Sequence, residues 1–163
     1  MESRSAPSPD RIKQPNSRTC FVCGMENDHG FHLAFYETSA DTVETVATIP
    51  EHFQGYPGVA HGGIVTALLD EITVRAATVG EPNHLMLTAR MEVRFRKAVP
   101  VDKPLRIVGT LIERKPRATR ARGEIILPDG SVGADGEAML MDHPASGMTP
   151  DALVALGWRV VPD

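Results

Sequence analysis

The sequence predicts an α+β domain in which a meander of antiparallel strands curls over one long helix. Three observations carry this: a single strong helical stretch from His61 to Gly80, two runs of alternating apolar residues before it, and four more after it. One helix covers only part of such a sheet, so the uncovered remainder and its exposed edges favour self-association.

In the helical stretch, Ile64, Leu68 and Ile72 recur at the four-residue interval and Val65, Leu69 and Ala76 fill the flanking rows. The result is one broad apolar face that needs a sheet to lie on. Gly80 terminates it. At its start, Gly62 and Gly63 leave the first helical N–H groups free of side chains, so a ligand oxygen can approach them closely. That is the construction of an anion or oxyanion site. Asp70 and Glu71 interrupt the apolar pattern in mid-helix, where a carboxylate is a poor choice unless it faces solvent or has a chemical role. By helical spacing Asp70 neighbours Thr66, Ala67, Thr73 and Val74, whose modest size suits a cavity or a second subunit.

Before the helix, residues 1–18 hold prolines among serines and charges and offer almost nothing to bury, which predicts a loosely draped arm without function. A turn-rich knuckle, Cys20-Phe-Val-Cys23-Gly24, leads into a strand from Phe31 to Glu37 with Phe31, Leu33 and Phe35 alternating. A second strand, Thr42 to Ile49, follows a short connection, Ser39-Ala40-Asp41, and ends at Pro50. The loop 51–60, rich in glycine, proline and aromatic residues, delivers the chain to His61 and can line whatever binds there.

After the helix, Leu85 to Val99 places Leu87, Ala89, Met91, Val93 and Phe95 on one face and Thr88, Arg90, Glu92, Arg94 and Arg96 on the other. Leu105 to Glu113 turns Leu105, Ile107, Gly109 and Leu111 inward. Ala118 to Leu127 closes with the turn Pro128-Asp129-Gly130, and Ser131 to Met141 is the last strand. In the tail, Thr149 as N-cap, Pro150 at the first helical position and Gly157 as terminator predict a short final helix. The expected organisation is an arm over 1–18, one domain over 19–145, and a helix and tail over 146–163.

A chain of 163 residues with 42% apolar and 23% charged residues suits one globular domain. A net charge of −4 argues against general nucleic-acid binding. The first residues lack an apolar signal core, and no run approaches the ~18 apolar residues that span a bilayer. A cytoplasmic protein with reduced thiols is expected, without membrane or nucleic-acid partners. Cys20, Cys23, His29 and His32 offer four potential zinc ligands, but the gap between Cys23 and His29 is tighter than zinc-finger spacing and no second CxxC completes a tetrahedron. The expectation is a structural turn and no metal.

Three segments, CFVCGMENDHGFHLAF, GYPGVAHGGIVTALLDE and LTARMEVRFRKAVP, together resemble the hotdog-fold acyl-CoA thioesterases, in the branch of PaaI-like enzymes within the 4-hydroxybenzoyl-CoA thioesterase superfamily. The resemblance covers about residues 20–142. Its specific part is His-Gly-Gly followed by an apolar helical stretch and then Asp. It implies a hotdog fold, an antiparallel sheet of five to six strands wrapped around one long helix, and hydrolysis of an acyl-CoA or acyl-carrier thioester without a cofactor beyond the coenzyme A of the substrate. It implies that Gly62 polarises the thioester carbonyl through its N–H, with His61 shaping that loop and Gly63 beside it. Asp70 then activates water or attacks the carbonyl, and Thr88 orients the water. In the family the aspartate and the hydroxyl come from the opposite subunit to the glycine, so a homo-oligomer, a dimer or a homotetramer built as a dimer of dimers, is expected.

Helix geometry supports that last point independently. Gly62 and Asp70 are eight positions apart, and at ~1.5 Å per residue they stand ~12 Å apart in one helix, too far to act on one carbonyl. One departure is visible: relatives often place an asparagine six residues before the histidine, where this chain has Gly55, with Gln54 and His52 as nearby substitutes. Arg94, Arg96 and Lys97, with Arg114, Lys115, Arg117, Arg120 and Arg122, are either phosphate contacts for coenzyme A or a solvated face. Two other readings keep the same groove, a non-catalytic acyl-CoA or acyl-carrier binding protein and an enoyl-thioester hydratase or dehydratase. The second needs an Asp/His dyad that this motif does not supply.

Overall fold

The computed structural model describes residues 11–163. In chain order the elements are β1 (Ile12–Lys13), β2 (Tyr36–Glu37), β3 (Thr42–Thr48), a 3-10 turn (Glu51–Phe53), α1 (Gly62–Ala77), β4 (Met86–Phe95), β5 (Pro104–Lys115), β6 (Ala118–Ile126), β7 (Val132–Asp142) and α2 (Pro150–Ala155). The strands form one sheet of seven in the order β1-β2-β3-β5-β6-β7-β4, antiparallel throughout. Helix α1 lies across its centre. The predicted α+β class and the single central helix are therefore present, and the seventh strand comes from the segment before Cys20.

The apolar face of α1 buries Val65, Leu68, Leu69 and Ile72 against Val43, Leu105, Ile107, Ile125 and Ala134. Truncating the fully buried Ile72 to alanine costs about 2–5 kcal/mol on this account. What allows the helix to sit so low is a cross-strand pair of glycines, Gly109 of β5 and Gly123 of β6; Gly123 pairs in turn with Gly136 of β7, which faces Met91 of β4. A Cβ at Gly109 would stand 2.5 Å from the Ile72 carbonyl oxygen, and one at Gly123 would stand 2.7 Å from Ile72 Cγ2. The sheet is thus hollowed under the middle of the helix. Toward the helix C-terminus the contact is made by small residues, Ala76, Ala77, Ala121 and Ala138, around Leu140.

Both helix ends are closed, the C-terminal one by the glycine that the sequence suggests. His61 caps the start, and Gly80, at φ +75°, turns the chain away after the end. Arg114 Nη2 donates to Ala77 O at 3.0 Å and Val79 O at 3.1 Å, satisfying carbonyls that the helix leaves open.

Three expectations need correction. The segment Phe31 to Glu37 pairs only at Tyr36–Glu37. Its first half is irregular, with His32 at φ +52°, and Phe31 joins an aromatic cluster with Phe21 and Phe53, at centroid distances of 5.5 and 5.2 Å. Within residues 11–18, expected as part of a loose arm, Gln14 to Asn16 are buried instead; residues 1–10 of that arm lie outside the described residues. Gln14 and Asn16 are both buried. Gln14 Nε2 donates to Glu37 Oε1 and Arg75 O, and Asn16 Nδ2 donates to Cys23 O and Leu33 O, which meets the cost of burying the amides. Asn16 also exchanges backbone hydrogen bonds with Arg159, which ties the C-terminal tail to the same edge. Finally, the face assignment fails at the start of β4. Thr88 pairs with Leu140 and Arg90 with Met139, so Ala89 is the extra residue of a β-bulge. Leu87 is consequently 50% exposed and Thr88 turns toward the helix, while Met91 and Val93 pack on the core as predicted. Phe95, expected inward, is also exposed.

The tail forms α2 with Thr149 Oγ1 accepting from Ala152 N at 3.3 Å, and Trp158 Nε1 donates to Pro82 O at 3.0 Å. Among the described residues no helix is long and apolar enough to cross a membrane.

Candidate active site

Asp70 leaves α1 on the side that faces β4, half-buried, and Thr88 Oγ1 donates to its Oδ1 at 2.6 Å. Sequence reasoning named both residues, and the structure brings them together within one chain. The bulge at Ala89 is what makes this possible. Without the extra residue, the alternation that sends Met91 and Val93 to the core would point Thr88 the other way. The carboxylate keeps a second oxygen for another partner, since Thr88 occupies only one.

At the helix start, His61 has extended backbone angles (φ −61°, ψ 136°) and its Nδ1 accepts from Gly63 N at 3.0 Å. An accepting Nδ1 places the proton of the neutral imidazole on Nε2. Gly63 is thereby committed to the cap, whereas the Gly62 N–H has no acceptor among the described residues. This N–H stands at the positive end of a 16-residue helix, where partial charge and an unused donor coincide. Gly62 also lies against the Phe95 ring, which a Cβ there would meet at 3.5 Å.

The approach loop is tied up internally. Gln54 Oε1 accepts from Gly58 N at 2.9 Å, and His61 N donates to Phe53 O at 2.9 Å. Gly55 lies against His61, where a Cβ would stand 3.5 Å from His61 Cα. His52 packs on Phe53 at 4.3 Å between centroids and is exposed. Gln54 therefore shapes the loop before Gly62, and His52 rests on the aromatic cluster.

Most of the basic residues are already paired. Arg96 is ion-paired with Asp135, Arg120 with Glu137, Arg94 with Glu92 at 2.9 Å and Arg122 with Glu124 at 3.0 Å; Lys97 approaches Asp129 at 4.0 Å. The Arg96 guanidinium holds the Asp135 carboxyl below the usual carboxylate range. Arg90, Arg94, Arg96, Arg120 and Arg122 border, with Asp135, a surface cleft of about 360 Å³.

The two cysteines do not meet the histidines considered with them. His32 and His29 are exposed and engage Asn27. Cys20 and Cys23 converge instead on Glu71 of α1, with their ligand atoms within 4.8 Å of one another. Glu71 Oε1 accepts from Arg75 Nε at 2.8 Å, and the buried Arg75 guanidinium stands over the rings of Phe35 and Trp158 at 4.7 and 4.9 Å. Burial opposes the charge on Arg75, but Glu71 beside it keeps the guanidinium's pKa raised. The Cys20 thiol is lowered to about 7, chiefly by the hydrogen bond from Cys23, and Cys23 is pushed up by giving that bond and by burial. Sequence reasoning missed this cluster. Its one local signal was the Glu71/Arg75 pair at the four-residue interval.

A family model described as the thioesterase superfamily matches residues 57–134, which contain Gly62, Asp70 and Thr88. A solved structure of a thioesterase superfamily protein superposes with a TM-score of 0.70 at 28% identity, covering 76% of this chain and 63% of that one. Over these residues the chain is similar to the thioesterase superfamily. Its sheet and central helix are the hotdog fold of that superfamily, as the sequence resemblance implied. Rat acyl-coenzyme A thioesterase THEM4 is 26% identical over 82 residues, which are 50% of this chain and 34% of the rat protein. The match thus spans about a third of that relative's length. Two further structures share the fold: a Streptococcus mutans protein bound to acetyl CoA, with a TM-score of 0.61 at 14% identity over 68% of this chain and 88% of that one, and a hypothetical thioesterase with coenzyme A from Streptococcus pneumoniae, with a TM-score of 0.60 at 17% identity over 67% and 84%.

Proposed function

We propose that this chain is a member of the thioesterase superfamily and hydrolyses the thioester of an acyl-CoA, using Asp70 and Thr88 of one copy and the Gly62 N–H of another. The observation that carries the reading is the 2.6 Å hydrogen bond from Thr88 Oγ1 to Asp70 Oδ1, together with the unused N–H at the start of the same helix. These groups are the two halves that acyl transfer requires, a basic oxygen and a donor for the developing oxyanion. The observed helix is continuous from Gly62 to Ala77, so the ~12 Å between the two positions separates them within one chain. Antiparallel helices of two copies close that gap. The free edge of β4, which carries exposed Leu87 and Phe95, supports pairing with a second copy at that edge.

In the proposed reaction, water oriented by Thr88 gives a proton to Asp70 and bonds to the thioester carbon, or Asp70 itself attacks and water then cleaves the mixed anhydride. The Gly62 N–H receives the carbonyl oxygen as it gains charge. The carbon–sulfur bond breaks, and the products are a carboxylic acid and a protonated thiol. No metal or cofactor enters these steps. That two relatives by fold were crystallised with acetyl CoA or coenzyme A supports coenzyme A as the thiol. The arginine-bordered cleft by Asp135 offers Arg90 and the paired guanidiniums to phosphates. Two free cysteines fit a reducing cytoplasm.

The test is a panel of acyl-CoA thioesters with free-thiol detection. Turnover of at least one class above the buffer rate supports the reading, and a panel that binds without thiol release points to a binding protein. Thr88→Ala is expected to lower kcat about tenfold while Thr88→Ser keeps most of it, because only the hydroxyl toward Asp70 is at issue. An unchanged kcat in Thr88→Ala would remove Thr88 from the mechanism.

A further inference from the structure

We propose that Cys20, Cys23 and Glu71 form a binding site for one thiophilic divalent cation of the zinc class, with the fourth coordination position open to a water. This inference is independent of the thioester reading. Three ligand atoms from two separate parts of the chain already lie within 4.8 Å of one another. Cys20 Sγ and Glu71 Oε2 are 3.7 Å apart, close to the roughly 3.5 Å that separates a sulfur and an oxygen on a tetrahedral zinc with ~2.3 and ~2.0 Å bonds.

The knuckle is arranged for thiolates. Val22 N and Cys23 N point at Cys20 Sγ at 3.3 and 3.5 Å, and Ser17 N points at Cys23 Sγ at 3.4 Å. Backbone donors aimed at sulfur stabilise its anionic form, the form that binds a metal. Charge points the same way. With both thiols ionised, three anionic groups face the single buried guanidinium of Arg75, and the surplus of two negative charges is what a divalent cation cancels. Arg75 also holds Glu71 Oε1 at 2.8 Å, leaving Oε2 toward the sulfur.

Room for a fourth ligand exists. A cavity of about 260 Å³ is lined by Cys20, Cys23, Glu71 and Arg75. Arg75 Nη2 is buried without a hydrogen-bond partner among the described residues, so an oxygen brought into the cavity by the ion meets an unmet donor. The expectation of a metal-free knuckle rested on the tight gap between Cys23 and His29 and the lack of a second CxxC; here the third ligand comes from helix α1.

Cobalt(II) titration of the reduced, chelator-stripped protein under anaerobic conditions tests this. One equivalent should produce thiolate-to-cobalt charge-transfer bands with tetrahedral visible bands, and one equivalent of zinc should abolish both. Cys20→Ser should lose part of the charge-transfer intensity. Glu71→Gln, which retains an acceptor for Arg75 Nε, should weaken cobalt affinity at least about tenfold. Absence of thiolate bands in the wild type would overturn the proposal, as would an affinity unchanged in Glu71→Gln. Recovery of Cys20 and Cys23 as a disulfide from protein purified under reducing conditions would also overturn it, since the pair would then be a redox couple. Circular dichroism of each variant separates loss of binding from loss of fold.

Discussion

Asp70→Asn is expected to slow acyl-CoA hydrolysis by ~100-fold or more, about 2.7 kcal/mol of lost transition-state stabilisation. The substitution keeps the shape of the side chain, and the amide oxygen still accepts from Thr88 Oγ1, so the 2.6 Å contact that joins α1 to β4 survives. What disappears is the basic oxygen. Folding and acyl-CoA affinity should therefore remain near wild type while free-thiol release collapses. Calorimetric binding to a slowly hydrolysed acyl-CoA, measured beside turnover, separates the two. Turnover within a few-fold of wild type would mean that Asp70 neither activates water nor attacks the carbonyl.

Gly109→Val is expected to destabilise the fold by ~3 kcal/mol or more, at the upper end of overpacking effects. Even the first carbon of the new side chain would stand 2.5 Å from the Ile72 carbonyl oxygen and 2.9 Å from Ile72 Cγ1. Backbone cannot yield as a flexible side chain does, so the helix would have to lift off the sheet, taking Asp70 away from Thr88. For a domain of this size that corresponds to a fall in Tm of roughly 6–12 °C, with activity lost alongside. A variant that melts within about 2 °C of wild type would show that α1 does not sit in the glycine hollow. Gly130→Ala makes a useful contrast: a Cβ there meets nothing within 4 Å, but φ is +83°, so its cost comes from backbone strain alone.

The parts of this molecule that were legible in the sequence are those whose cause is local. The apolar rows of α1, its glycine start, the Gly80 stop and the alternating strands each follow from residues within a few positions of one another. Asp70 was conspicuous because it breaks such a pattern. What stayed hidden depends on pairing between distant segments. The bulge at Ala89 adds one residue to a run that alternates well on either reading, so only the partner strand β7 shows which side Thr88 takes. Gly109, Gly123 and Gly136 look unrelated along the chain and become a row only when β5, β6 and β7 are in register. Gln14 and Asn16 read as surface residues because their acceptors, such as Arg75 O and Cys23 O, belong to other elements. Glu71 likewise meets Cys20 across 51 positions of sequence.

The central claim is that each site is assembled from two copies, and mixing two inactive variants tests it most directly. Gly62→Pro removes the oxyanion donor where proline is well tolerated, at the first helical position after a residue with ψ 136°. Asp70→Asn removes the base. Each alone should be nearly inactive. After subunit exchange at equal concentrations, half of the dimers are mixed and one of the two sites in each contains an intact Gly62 and an intact Asp70, so about a quarter of wild-type activity should return. No recovery, with exchange confirmed by native mass spectrometry, would contradict a site shared between copies.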